Sequence, residues 1–178
     1  MKFAHEPRFT SEIYARRFLD LGPDETVVSW AENMALAGFT SDGLFILLGE
    51  SKPFNKFEID GLLDRIQREL KIPKVTSQKE AVEIIATAHV RRFLSGEAES
   101  VSTLFALKEL YDNEGREDAL FDFYLLHFAA EDLETDKVQH YWPGANNENI
   151  KKIICEVFST WIDEHVLMAW KAYEWKSV

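Results

Sequence analysis

The run Asn55-Lys-Phe-Glu-Ile-Asp-Gly-Leu-Leu-Asp-Arg-Ile-Gln-Arg-Glu-Leu-Lys71 decides the fold class. Ile59, Leu62, Leu63, Ile66 and Leu70 recur at the spacing of one helical face. Asn55 can cap that helix, and Glu58 stands three residues on, where a capping box places its acid. Pro73 lacks the N–H a continuing helix needs, so the element stops before it. The next segment repeats this pattern. Ser77-Gln-Lys-Glu80 is a second capping box, and Val82, Ile85, Ala86, His89 and Phe93 follow along one stripe. Gly96 is placed to supply the left-handed residue that ends it.

Working outward, a helix is predicted from Ser100 to Tyr111 with Val101, Leu104, Phe105 and Leu107 facing inward. Another is predicted from Glu117 to Leu133 with Leu120, Phe123, Tyr124, His127 and Phe128 on its inner side. Upstream, Gly22-Pro23 separates a helix at Ser11–Leu21 from one at Asp24–Ala37, with Asp24 as cap. Ser41 or Asp42 can start a short element through Leu48, whose apolar run suits a helix or a strand. The last helix starts near Asn147, after the Trp142-Pro-Gly-Ala turn, and is expected to run towards Trp175. It would reach about 40 Å, with a bend expected near His165. The expectation is an all-α fold: a single domain spanning 1–178, with seven or eight helices in a bundle or as stacked helical hairpins.

Composition narrows the function. The chain has 178 residues, 46% hydrophobic and 29% charged, enough to bury a core without a disulfide or structural metal. Its single cysteine, Cys155, excludes an internal disulfide and a multi-cysteine zinc site. A buried structural role is expected for that thiol. Thirty-one acids against twenty bases give a charge of −11, which argues against nucleic acid as a partner. No apolar run approaches a membrane span, and the N-terminal residues carry no signal-peptide pattern, so a cytoplasmic location is expected.

Motifs of catalysis are missing or incomplete. Gly38-Phe-Thr-Ser-Asp-Gly43 has the glycine spacing of a phosphate loop, but Leu44 and Phe45 replace the lysine and hydroxyl residue. The run from Asp132 to Asp136 begins like a calcium loop, but has Lys137 in place of the glycine and Pro143 in place of the closing acid. His127 and Glu131, at i and i+4, supply only two ligands, so no metal or cofactor is expected. His89, His127 and His165 lie on apolar stripes of three helices. Their convergence would make a small-molecule, metal-binding or acid–base site between helices, and this is the enzymatic alternative.

Charge is unevenly distributed. From Glu97 to Asp136 there are twelve acids and only Lys108 and Arg116 against them, a net −10 in forty residues. The remaining nineteen acids and eighteen bases leave −1. Such a segment is either a solvated face or a docking surface for a basic partner. As a docking surface its contact residues would be Glu109, Asp112, Glu114, Glu117, Asp118, Asp122, Glu131, Asp132, Glu134 and Asp136. A third reading rests on Trp161, Trp170, Tyr173 and Trp175, whose aromatic rings could serve a homo-oligomer interface.

The segments Trp30-Ala-Glu-Asn-Met34, Gly38-Phe-Thr-Ser-Asp-Gly-Leu44, Leu47-Leu-Gly-Glu-Ser-Lys-Pro-Phe-Asn-Lys-Phe-Glu58, Leu62-Leu63 and Glu69-Leu-Lys-Ile72 carry a resemblance. Together they are similar to a family of small uncharacterised bacterial proteins, a domain of unknown function in which a short helix pair precedes a Pro-x-Asn-x-Phe-Glu turn and a capped helix. The resemblance implies an all-helical fold and brings no activity or functional residue with it. In type, a small acidic helical chain is also similar to bacterial immunity proteins, which neutralise basic toxins by docking. The expectation is therefore a non-enzymatic, immunity-like protein-binding module acting through 97–136.

Overall fold

A computed structural model describes residues 9–136 and 138–165. Among these residues every regular element is helical, with eight α-helices, one 3-10 turn and no strand. The fold is all-α. The chain gathers into two compact units that divide after Ala81, within α5.

The first unit contains α1 (Thr10–Phe18), α2 (Thr26–Leu36), α3 (Asp42–Leu47) and α4 (Lys56–Leu70). Each neighbour in sequence packs on the next. The caps form at the positions the sequence marks. The Asn55 side chain accepts from the Phe57 N–H at 3.1 Å, and Ser41 Oγ accepts from the Leu44 N–H at 3.0 Å. The Ser41 cap settles the ambiguous apolar run as a helix. Asp24 Oδ1 accepts from the Thr26 N–H at 2.8 Å. Gly43, in the rejected phosphate-loop pattern, has a packing role. A Cβ there would stand 2.9 Å from Ile66 Cγ1, so glycine lets α3 lie close on α4. Trp30 is fully buried. Its Nε1 donates to Thr10 Oγ1 at 2.8 Å, and Tyr14 meets the ring edge-on at 5.8 Å.

The helix α5 (Gln78–Leu94) starts in the first unit and runs into the second, which also contains α6 (Ser100–Asn113), the 3-10 turn Asp118–Leu120, α7 (Phe121–Thr135) and α8 (Ile150–Glu164). Ser77 Oγ accepts from the Glu80 N–H at 3.2 Å, while the Glu80 carboxylate reaches one residue further back, to the Thr76 N–H at 2.8 Å. Gly96 takes φ +78°, the left-handed ending anticipated for it. The core is aromatic. Phe158 receives the edges of Phe93 at 5.0 Å and Phe123 at 5.5 Å, and Trp161 lies 5.0 Å from Phe123. Trp161 Nε1 donates to Thr87 Oγ1 at 3.0 Å, so the buried indole N–H is satisfied.

Several expectations change. The inner face of α6 is Thr103, Leu104, Leu107 and Leu110, and Val101 and Phe105 are exposed. The inner face of α7 is Phe123, Leu126, Ala129 and Leu133, and Tyr124, His127 and Phe128 are only half-buried. Both helices carry two apolar stripes, and the fold buries one of each; Phe123 of the buried α7 stripe packs on Phe158 and Trp161 of α8. Cys155 is exposed, contrary to the buried role expected for it, because the inner positions of α8 are Ile150, Ile154, Phe158 and Trp161. The final helix ends at Glu164, with His165 as its cap. The stretch beyond His165, including Trp170, Tyr173 and Trp175, lies outside the described residues.

Candidate functional site

The acidic residues occupy α6, α7 and the connection between them. Glu109 and Asp112 lie on the last turns of α6, and Glu114 and Glu117 lie in the connection. Asp118 opens the 3-10 turn and Asp122 sits in the first turn of α7. Glu131, Asp132 and Glu134 crowd the far end of α7, with Asp136 as its cap. None of these ten side chains is buried.

Lys108 is the principal internal counterion. Its Nζ lies 2.9 Å from Glu109 and 2.8 Å from Asp112, and hydrogen bonding to those carboxylates, Asp112 first, raises its pKa above the usual lysine range. Among the described residues no ion pair holds Glu117, Asp118, Asp122, Glu131, Asp132, Glu134 or Asp136. Partial burial pushes the Glu114 carboxyl upward. The last turn of α7 contains no base. Its acids therefore face the negative end of the helix dipole, which costs stability.

A second feature runs along the same two helices. Phe121 and Tyr124 stack at 6.1 Å, Tyr124 lies 4.9 Å from Tyr111 across the helix pair, and Phe128 lies 4.9 Å from Tyr124. Tyr141 follows Phe128 at 5.3 Å. His127 continues the row sideways, 5.1 Å from Phe128 and 6.0 Å from Phe105 on α6. Phe105 is 53% exposed, Phe121 43% and Tyr141 41%, so the row is a surface rather than a core. The sequence signal was present: Phe121, Tyr124 and Phe128 recur at i, i+3 and i+7, a second stripe beside the buried one.

Row and carboxylates meet at His127. Burial lowers its pKa below the usual imidazole range. The charges of Glu131 on its own helix, and of Glu109 and Asp112 on α6, oppose that shift, while Lys108 adds to it. Glu131 stands one turn along α7 from His127, while Glu109 and Asp112, on α6, are already paired with Lys108. Glu134 stands two turns further along α7 than His127, outside that group.

His127 and His165 touch different rings. His127 sits among aromatic rings, and His165 stacks on Trp161 at 3.5 Å with Nδ1 3.1 Å from the Trp161 carbonyl. Among the described residues no three His, Cys, Asp or Glu side chains are grouped to hold a metal ion. Lys152, near the exposed Cys155, is paired with Glu156 at 3.5 Å. Trp161 is 5% exposed and belongs to the core of its unit. No helix among the described residues is long and apolar enough to cross a membrane. No family model, curated protein or solved structure matches the chain.

Proposed function

We propose that this chain is a non-enzymatic acidic binding module that docks a basic protein partner through 97–136, in the manner of an immunity-type inhibitor. The observation that carries this reading is the set of seven carboxylates, from Glu117 to Asp136, without ion pairs among the described residues. Four acids at the negative end of α7 work against the stability of their own helix. Such a cost is tolerated where activity needs the groups. A basic partner would neutralise them, and complementary fields would speed the encounter.

The experiment is co-purification from the cells that make the protein, comparing the wild type with the triple variant Glu117→Lys, Asp118→Lys, Asp122→Lys at low and high salt. The expected result is a basic protein that is retained by the wild type at low salt and lost on charge reversal. If no protein is lost on reversal, or the one lost is acidic, the reading is overturned.

A further inference from the structure

Resting on that reading, we infer that the aromatic row of α6 and α7 receives arginine side chains, so that the partner presents an arginine-rich segment rather than a merely basic one. A row of rings with faces and edges open to solvent offers apolar area. A purely apolar partner would have to strip water from Asp118, Asp122 and Glu131, which have no ion pair among the described residues, without returning a charge, and burying unpaired carboxylates is costly. A cationic partner avoids this. The ammonium of lysine is a compact, strongly hydrated point charge that gains chiefly from the carboxylates. The guanidinium of arginine is planar and weakly hydrated. It stacks on an aromatic face while its edge N–H groups bond a carboxylate in a bidentate fork.

The geometry supplies both halves within one neighbourhood. Phe105 and Phe128 flank His127 at 6.0 and 5.1 Å, and Glu131, without an ion pair among the described residues, stands one turn along α7 from that ring. At the other end of the row, Phe121 and Tyr124 stack within the first turns of α7, where Asp118 and Asp122 stand one helical turn or less from Phe121. Two aromatic positions with adjacent carboxylates are thus offered along one helix pair. An extended segment carrying two arginines could fill both. The net −10 of the region is opposite in sign to such a segment and repels a phosphate backbone.

The test titrates the whole protein with fluorescently labelled eight-residue oligo-arginine and oligo-lysine peptides at one ionic strength, followed by anisotropy. Arginine is expected to bind about fivefold more tightly than lysine. The variant Phe105→Leu, Phe121→Leu keeps apolar bulk at two exposed positions. It is expected to lower arginine affinity to the lysine level while leaving lysine binding unchanged. Tyr141→Leu, outside the helices, tests the row without touching helix packing and is expected to weaken arginine binding alone. Circular dichroism checks that each variant folds. Equal affinity for the two peptides in the wild type would overturn the arginine inference but leave acidic docking standing, provided charge reversal at Glu117, Asp118 and Asp122 weakens both. An arginine preference that survives Phe105→Leu, Phe121→Leu and Tyr141→Leu would also overturn it. Failure of both peptides to bind would remove this inference and the acidic docking reading together.

Discussion

The two units treat their carboxylates in opposite ways. In the first, acids meet bases both within α4 and between elements. Arg16 reaches Asp24 at 2.8 Å, Arg17 reaches Asp64 at 2.8 Å and Asp60 at 3.5 Å, and Arg65 reaches Asp42 at 2.7 Å and Glu69 at 2.6 Å. Lys56 bridges Asp20 and Asp60, and Lys52 holds Glu25. Hydrogen bonds from Arg65 and Lys52 hold Glu69 and Glu25 below the usual carboxylate range. In the second unit Lys108 serves two acids, and burial moves Glu114 upward instead. The first unit pairs many of its acids within its own framework. The second leaves Glu117, Asp118, Asp122 and the acids at the end of α7 without ion pairs among the described residues, and the proposed docking role rests on that difference rather than on acidity as such.

The hydrophobic cores, by contrast, should break alike. Phe158→Ala in the second unit and Trp30→Ala in the first are each expected to cost about 3–5 kcal/mol, read by guanidinium denaturation. A loss below about 1 kcal/mol at either would mean that the burial described for that ring is wrong. Next in size is the buried indole pair. Thr87→Val removes the acceptor of the Trp161 N–H and should cost about 1–3 kcal/mol in the same assay.

The charge contrast predicts opposite signs for two isosteric neutralisations. Asp64→Asn removes a partner of Arg17 and should lower the melting temperature. Glu134→Gln relieves the negative end of α7 and should raise it. Each change is expected to stay below about 1 kcal/mol, because both side chains are exposed and screened. Two changes of the same sign would erase the distinction between the units.

The smallest effect concerns pH. Because burial lowers the pKa of His127, the folded state binds its proton less readily than the unfolded chain. Stability should therefore fall as pH drops below about 6.5, the ordinary imidazole value, towards the lowered folded value. Glu131, Glu109 and Asp112 favour the imidazolium and soften the loss, while Lys108 deepens it. Comparing melting temperatures at pH 7.5 and 5.5, His127→Gln should show a shallower decline than the wild type. Parallel declines would mean that the ring is as well hydrated as in the unfolded chain.

Much of the helical order was legible because local chemistry writes it. Asn55, Ser77 and Ser41 satisfy N–H groups only a few residues away, and Gly96 takes a backbone angle that costs other residues more. Such signals need no knowledge of the rest of the chain. The acidic segment was equally legible as composition. Its pairing was not, because whether Asp64 or Asp122 has a cation beside it depends on a residue on another helix or far along the same one. Nor could sequence choose the buried side of α6 and α7. Val101 and Phe105 form one apolar stripe and Leu104 and Leu107 the next, and periodicity supports both.

The sequence by itself therefore determined the helices, most of their ends and the concentration of negative charge. Tertiary structure decided which stripe of each helix became core, which carboxylates were neutralised, and that Phe105, Phe121, Tyr124 and Tyr141 remained at the surface beside the unpaired acids. The reason is physical. Helix formation and capping are settled over distances of a few residues, whereas burial and ion pairing are competitions among faces that the folded chain alone brings together.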